Sequence, residues 1–126
     1  MAGELVLIVE DNARNLELVQ DILELHGFRT LTATSGSDGV TLARRYLPDL
    51  VLMDVQLPDF DGVEVLRRLR ADDETRSISV LALTAFAMTG DRHRFLDAGF
   101  DGYLPKPIDV RTLADVVRQH CQPVQR

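Results

Sequence analysis

Five short apolar segments alternate along the chain with segments whose apolar residues recur at helical spacing. Unbroken apolar runs are typical of strands that are covered on both faces, and the half-polar second run predicts an edge strand. The five predicted strands span residues 5–9, 29–33, 49–54, 79–84 and 102–104.

Capping residues mark where the predicted helices begin and end. Asn12, Ser35 and Asp109 are placed to cap the first, second and last helices, while Gly27 and Pro48 predict where the first two stop. A third helix follows Gly62, and a fourth is predicted around residues 87–98. The predicted inward-facing residues are Leu16, Val19, Ile22 and Leu23 in the first helix, Val63, Leu66 and Leu69 in the third, and Leu113, Val116 and Val117 in the last.

A strand followed by a helix, repeated about five times, predicts an α/β fold with a parallel sheet and helices on both faces. Right-handed crossovers would connect the strands. In such a sheet, loops at the carboxyl ends of the strands form the ligand crevice, at the point where the strand order reverses. A strand order of 2-1-3-4-5 would leave the second strand at one edge.

Composition narrows the class of protein. A chain of 126 residues suits one domain, and its net charge of −6 disfavours direct nonspecific binding to nucleic acid. Cys121 is the only cysteine, which excludes an intrachain disulfide and fits a reducing, cytoplasmic setting. No apolar stretch is long enough to cross a bilayer, so membrane insertion is not expected.

Ionisable and hydroxyl side chains lie directly after four of the strands. Glu10 and Asp11 follow the first, Asp54 ends the third, Thr84 ends the fourth and Lys106 follows the fifth. Three carboxylates close together repel one another unless a positive charge compensates them. Oxygen ligands favour Mg²⁺, and a lysine and a hydroxyl suit the oxygens of a phosphoryl group, so Asp54 is a candidate nucleophile.

Four motifs, in order and at matching spacing, make the chain resemble the receiver (response-regulator) domain of two-component signalling. They are VEDN at residues 9–12, LMDVQLPDFDG at 52–62, LTAFAMTGD at 83–91 and AGFDGYLPKPI at 98–108. The resemblance covers roughly residues 5–120 and implies a flavodoxin-like fold with a five-stranded parallel sheet in the order 2-1-3-4-5. The sequences of these motifs are especially similar to those of DivK-like stand-alone regulators and of receivers attached to hybrid histidine kinases.

The resemblance assigns a role to each residue of the predicted site. It makes Asp54 the phosphoacceptor, Thr84 the switch hydroxyl and Lys106 the site lysine, with Tyr103 as the aromatic that changes rotamer with Thr84. The metal ligands would be Glu10, Asp11, Asp54 and the main-chain carbonyl of Gln56, holding Mg²⁺ with Mn²⁺ as the alternative. The bond between Lys106 and Pro107 is a candidate cis peptide.

The implied function is that of a signalling switch rather than a classical enzyme. A histidine kinase or histidine phosphotransfer protein would donate a phosphoryl group to Asp54. The face made by the fourth predicted helix, the fifth strand and the last helix would then change its affinity for a downstream protein. We expect a single receiver domain over residues 1–126 with an ordered core over about 5–120, no output domain, and a monomer or weak dimer.

Several alternatives remain open at this level. The chain could be a free-standing switch, which its short tail favours, or a relay or excised hybrid-kinase receiver. A haloacid-dehalogenase-type phosphatase would need an acid two residues after Asp54, where Gln56 stands. Phe86 and Met88 are either core residues or part of a surface that a partner covers. The three arginines 67, 68 and 70 are interpreted as a solvated helix face.

Overall fold

A parallel sheet of five strands lies at the centre of the molecule, in a computed structural model that describes residues 3–57, 59, 61–84 and 97–121. The strands are β1 (Leu5–Val9), β2 (Arg29–Ala33), β3 (Leu50–Asp54), β4 (Ser79–Thr84) and β5 (Gly102–Pro105). They pair in the order β2-β1-β3-β4-β5, and every neighbouring pair is parallel, which confirms the predicted fold class and strand order.

Four helices lie within the described residues. They are α1 (Ala13–Leu25), α2 (Gly36–Tyr46), α3 (Gly62–Ala71) and α4 (Leu113–Cys121). The helix predicted around residues 87–98 falls outside the described residues except for residues 97 and 98, which are helical. Within the described part of the chain, none of the helices combines the length and the apolar character that crossing a bilayer requires.

The sheet separates two apolar layers, because successive strand residues point to opposite faces. Helices α2 and α3 pack on one face, where Val40, Val65 and Leu69 join Leu7 and Met53. Helices α1 and α4 pack on the other face. There the buried residues include Val19, Leu23, Leu113 and Val117 together with Ile8 and Leu52 of the sheet. All five residues of β3 are buried, as expected for the central strand, whereas β2 is partly exposed at its edge.

The local signals in the sequence act as predicted at the first two helices. The Asn12 side chain accepts a hydrogen bond from the main-chain N–H of Asn15 at 3.0 Å, and Ser35 caps α2 in the same way through Asp38 at 3.2 Å. Gly27, with a φ of 92°, follows α1 in the left-handed region that favours glycine. Capping and stop signals therefore set the limits of both helices.

Two predictions about helix faces and caps are wrong. Val63 is 36% exposed, because Val65 takes its place beside Leu66 and Leu69, which are buried as predicted. Asp109 does not cap the last helix: its side chain accepts from the N–H of Arg111 at 2.9 Å, closing a turn, and α4 begins only at Leu113.

Arg70 is not part of a solvated face, contrary to the sequence-based interpretation. Its guanidinium donates to the carbonyls of Arg76 at 2.9 Å, Ile78 at 2.7 Å and Gly99 at 3.2 Å. It also bonds the carboxylate of Asp101 at 3.0 Å. One side chain of α3 thereby ties together the segments that lead into β4 and β5, at the amino edge of the sheet.

Candidate functional site

The carboxyl edge of the sheet brings together the side chains that follow β1, β3, β4 and β5. Glu10 comes directly after β1, Asp54 and Thr84 end β3 and β4, and Lys106 comes directly after β5. Glu10, Asp54 and Thr84 are all buried, at 0%, 3% and 1% exposure. The convergence that parallel strands predict is therefore confirmed, and most of the cluster is withdrawn from water.

Lys106 lies between two of the carboxylates. Its Nζ is 2.9 Å from Oε1 of Glu10 and 3.1 Å from Oδ2 of Asp54. The lysine side chain keeps only 20% of its surface exposed, so both ion pairs are partly shielded from solvent. The main-chain N–H of Lys106 bonds the carbonyl of Thr84 at 2.8 Å, and the following bond to Pro107 is cis, as predicted.

The carboxylate of Asp54 is held from both sides. Its Oδ1 accepts a hydrogen bond from the main-chain N–H of Gln56 at 2.9 Å, while its Oδ2 faces Lys106. A buried carboxylate needs such partners, because an unpaired buried charge is costly. The direction of this carboxyl group is thus fixed by the loop that follows β3 on one side and by the loop that follows β5 on the other.

Burial and a neighbouring carboxylate set the electrostatics of Glu10. Burial, followed by the approach of Asp54, raises the pKa of Glu10 from its ordinary value of 4.5 to about 7. The Lys106 ammonium and the N–H of Asn12, which donates to Oε2 at 3.1 Å, offset part of this rise. Burial lowers the pKa of Lys106, but its two carboxylate neighbours outweigh burial and the net shift is upward.

The single positive charge of Lys106 does not balance the three carboxylates at this edge of the sheet. Their arrangement fits a divalent cation. Carboxylate oxygens of Glu10, Asp11 and Asp54 lie within 4.8 Å of one another, and Asp11 is exposed at the open side. Oε1 of Glu10 is buried, and among the described residues the Lys106 ammonium at 2.9 Å is shared between this oxygen and Asp54, which leaves Oε1 short of hydrogen bonds. Hard oxygen ligands of this kind suit Mg²⁺.

Thr84 and Tyr103 lie on the same face of the sheet. Tyr103 is aligned with Ala82 across the β4–β5 pair, and Thr84 stands two residues after Ala82, so the period of two places them on one side. Tyr103 is half-buried and packs against the apolar layer beneath α2 and α3. This placement is compatible with the coupled movement that the sequence predicts for the pair.

Sequence reasoning missed one residue near the site. It assigned residues 58–62 only to a turn, whereas Asp59 reaches the amino end of α2 and bonds the main-chain N–H of Gly36 at 2.8 Å. No signal in the sequence pointed to this contact, because it joins residues far apart in the chain. Phe86 and Met88, two other residues that the sequence singled out, lie outside the described residues.

Comparisons with known proteins point to one family. The sequence profile of the response regulator receiver domain matches residues 6–118. The polar-differentiation response regulator DivK of Brucella anthropi is 44% identical over 115 residues, which cover 91% of this chain and 94% of that protein.

Solved structures agree with this relationship. The receiver domain of a sensor histidine kinase from Pseudomonas aeruginosa, determined with a magnesium ion in its active-site cleft, is 36% identical with a TM-score of 0.87, and covers 95% of this chain and 98% of its own. A response regulator from Chloroflexus aurantiacus is 28% identical with a TM-score of 0.89, over 94% and 98% of the two chains. The chemotaxis response regulator CheY4 of Vibrio cholerae, 24% identical, has the same fold with a TM-score of 0.88, over 94% and 98%.

Receiver domains bind Mg²⁺ at an acidic site and work with histidine kinases and downstream targets, and the acidic cluster of this chain fits that description. The matched profile spans the sheet and the helices on both of its faces. The chain therefore belongs to the response regulator receiver domain family of two-component signalling systems.

Proposed function

We propose that Asp54 is the residue that accepts the phosphoryl group, from a phosphohistidine of a histidine kinase or a histidine phosphotransfer protein. The observation that carries this assignment is the setting of its carboxylate. It is buried at the end of the central strand, directed by the Gln56 N–H and Lys106, and next to two further acids. The family membership of the chain supports the same assignment.

The transfer itself is a substitution at phosphorus. A carboxylate oxygen of Asp54 forms a bond to phosphorus, the bond from phosphorus to the histidine nitrogen breaks, and that nitrogen keeps the electron pair and takes up a proton. Glu10, Asp11, Asp54 and the Gln56 carbonyl would hold Mg²⁺, or alternatively Mn²⁺, which when bound offsets negative charge on the phosphoryl oxygens. Lys106, whose Nζ is 3.1 Å from Oδ2 of Asp54, would contribute a second positive charge.

Phosphorylation then changes a surface. We propose that the Thr84 hydroxyl moves to donate a hydrogen bond to the phosphoryl group, and that Tyr103 turns inward into the space it leaves. Both residues lie on one face of the sheet, which supports the coupling. The affected face comprises β5, α4 (Leu113–Cys121) and the helix predicted around residues 87–98. A shift between two states of this face alters its affinity for a target protein.

The chain acts in this proposal as a single receiver domain over residues 1–126, with an ordered core over about 5–120. It is a cytoplasmic switch that catalyses its own phosphorylation and dephosphorylation rather than a classical enzyme. It works as a monomer or weak dimer, without direct contact with nucleic acid. Its output is protein binding, or onward transfer of the phosphoryl group to a further histidine.

The test is incubation with a small phosphodonor and Mg²⁺, followed by intact mass measurement. The wild-type chain should gain one phosphoryl group, and Asp54→Asn should gain none. Asp73→Asn is the matched control, because Asp73 is an aspartate with 89% of its side chain exposed and should not affect the adduct. Absence of an adduct in the wild type across several donors, or its persistence in Asp54→Asn, would contradict the assignment.

A further inference from the structure

The carboxylate of Asp59 joins the loop after β3 to the amino end of α2. Its Oδ1 accepts the main-chain N–H of Gly36 at 2.8 Å, and its Oδ2 accepts that of Ser37 at 2.9 Å. The N–H groups of a first helical turn have no partner inside their own helix, and the positive end of the helix dipole favours a negative charge there. Both bonds are therefore charge-assisted, and together they fix the carboxylate in two directions.

The loop that carries Asp59 is also held where it joins α3. The N–H of Gly62 bonds the carbonyl of Val55 at 3.0 Å, and Asp61 caps α3 by accepting the N–H of Glu64 at 2.9 Å. A Cβ added at Gly62 would lie 2.8 Å from the carbonyl oxygen of Asp54. This distance is too short for any side chain, so the position requires glycine. Asp59 lies between β3 and Gly62, and its bonds attach the loop to a second helix, α2.

The path of this loop determines the direction of the candidate acceptor. Gln56 lies on the same loop, and its N–H is the group that holds Oδ1 of Asp54 at 2.9 Å. The N–H of Val55 bonds the carbonyl of Leu83 at 3.2 Å, which attaches the start of the loop to β4. A displacement of the loop at Asp59 would be transmitted to Gln56 and from there to the Asp54 carboxylate.

We propose that Asp59 is a positioning residue for phosphoryl transfer, which holds the loop after β3 against α2 so that Gln56 directs the Asp54 carboxylate. The inference rests on the proposed role of Asp54 as acceptor. According to this proposal, the amino end of α2 also influences the rate at which Asp54 accepts a phosphoryl group. Asp59 itself does not touch the reacting atoms.

A purely structural role for Asp59 would be to start α2, and the structure gives that task to other residues. Ser35 caps α2 by accepting the N–H of Asp38, and Asp38 places a negative charge in the first turn. Ser35→Ala therefore weakens the beginning of α2 without removing the attachment of the loop. This variant is the matched control that separates helix stability from loop position.

The first measurement is the rate of phosphorylation by a small phosphodonor at saturating Mg²⁺. Asp59→Ala should slow the reaction by about tenfold, because misplacement of a reacting group by less than an ångström reduces reactivity strongly. Asp59→Asn keeps one acceptor oxygen and should recover part of the rate. Ser35→Ala, which leaves the loop attached, should react at the wild-type rate.

The second measurement does not depend on phosphorylation. In amide NMR spectra of the metal-free protein, Asp59→Ala and, to a lesser degree, Asp59→Asn should shift the Gln56 resonance and accelerate its hydrogen exchange, whereas Ser35→Ala should not. A wild-type rate with an unchanged Gln56 amide in Asp59→Ala would overturn the proposal, as would equal slowing by Ser35→Ala. If the wild type accepted no phosphoryl group, the proposed function would fail, while the Gln56 amide would still decide the positioning role.

Discussion

Glu10 is fully buried beside a second carboxylate, and its pKa is raised from 4.5 to about 7. A raised pKa means that the folded protein holds the proton more tightly than the unfolded chain does. The stabilising contribution of Glu10 is therefore complete below pH 4.5 and is lost as the pH rises through about 7. At neutral pH and above, the metal-free protein carries a repulsion between Glu10 and Asp54 that Lys106 compensates only in part.

Replacement of this acid by its amide tests that reasoning. Glu10→Gln removes the charge, so the metal-free variant should exceed the wild type in free energy of unfolding at pH 8 by on the order of 1 kcal/mol. The advantage should shrink towards zero at pH 4.5. Chemical denaturation at the two pH values measures the difference, with the exposed Glu17→Gln as a control that should show no change. An equal effect at both pH values would contradict the raised pKa.

Cation binding at the same acids should depend on pH in the opposite sense. A proton on Glu10 competes with Mg²⁺, so affinity should rise as the pH increases towards about 7 and then level off. Titration calorimetry at pH 6 and pH 8 would measure this change. In Glu10→Gln, whose side chain does not titrate, the affinity should be weaker and flatter between the two values. A pH-independent affinity in the wild type would contradict a ligand at Glu10 whose pKa is raised to about 7.

At the scale of the elements, two of the three arginines of α3, Arg67 and Arg70, have very different surroundings. Arg70 donates to three carbonyls and one carboxylate at the amino edge of the sheet, and its side chain is 26% exposed. Arg67 bonds Glu64 on the same helix, and its side chain is 68% exposed. Partly buried bonds to fixed main-chain groups stabilise a protein more than an exposed ion pair does.

Paired substitutions on this helix should therefore diverge. Arg70→Ala should lower the free energy of unfolding by about 2 kcal/mol, since it leaves several carbonyls without a donor. Arg67→Ala should change it by less than about 0.5 kcal/mol. Urea denaturation of both variants and the wild type measures the contrast. Similar losses in the two variants would show that the bonds of Arg70 contribute no more than a surface pair.

Elements whose limits depend on local signals were predicted closely. The ends of β1, β2 and β4 agree with the sequence-based limits. An unbroken apolar run forms β1 and the centre of β4, whereas the half-polar β2 is delimited by the stop of α1 at Gly27 and the cap of α2 at Ser35. Asn12 and Ser35 cap their helices as predicted, since capping needs only a side chain and an N–H a few residues away. The carboxyl-edge cluster was predictable for a related reason: parallel strands align their ends.

Features that depend on contacts between distant segments were not predicted. Asp59 bonds groups 22 and 23 residues away, and Arg70 reaches Asp101 across 31 residues, so neither partner could be read from the surrounding sequence. Asp109 misled for another reason. Its carboxylate accepts the N–H of Arg111 and closes a turn. The sequence does not show that this N–H is bonded rather than one in the first turn of α4. Tertiary packing decides such cases.

At the scale of the whole molecule, the chain provides its own optical probe of the switch. It has two tyrosines and no tryptophan. Tyr103 is half-buried against the apolar layer, whereas Tyr46 is 47% exposed beneath the guanidinium of Arg45. Tyr46→Phe therefore leaves a protein whose tyrosine emission comes from Tyr103 alone.

This variant should report the proposed rearrangement directly. Addition of a phosphodonor and Mg²⁺ should change the Tyr103 emission as the ring becomes more enclosed, and the signal should return as the phosphoryl group is lost. The same change should be absent when Asp54→Asn is added, and reduced when Thr84→Ala is added. Emission that stays constant while mass measurement shows the adduct would contradict the coupling between Thr84 and Tyr103.

The position of Lys106, 52 residues beyond Asp54, has a consequence for the order in which the protein is made. Ribosomes produce β1 and β3 well before β5, so Glu10 and Asp54 exist in the nascent chain before their counter-charge has been synthesised. A copy that stops short of β5 lacks the lysine, and its acids repel one another. A chain that ends before β5 should therefore lack the charge balance at the carboxyl edge on which the proposed transfer to Asp54 depends.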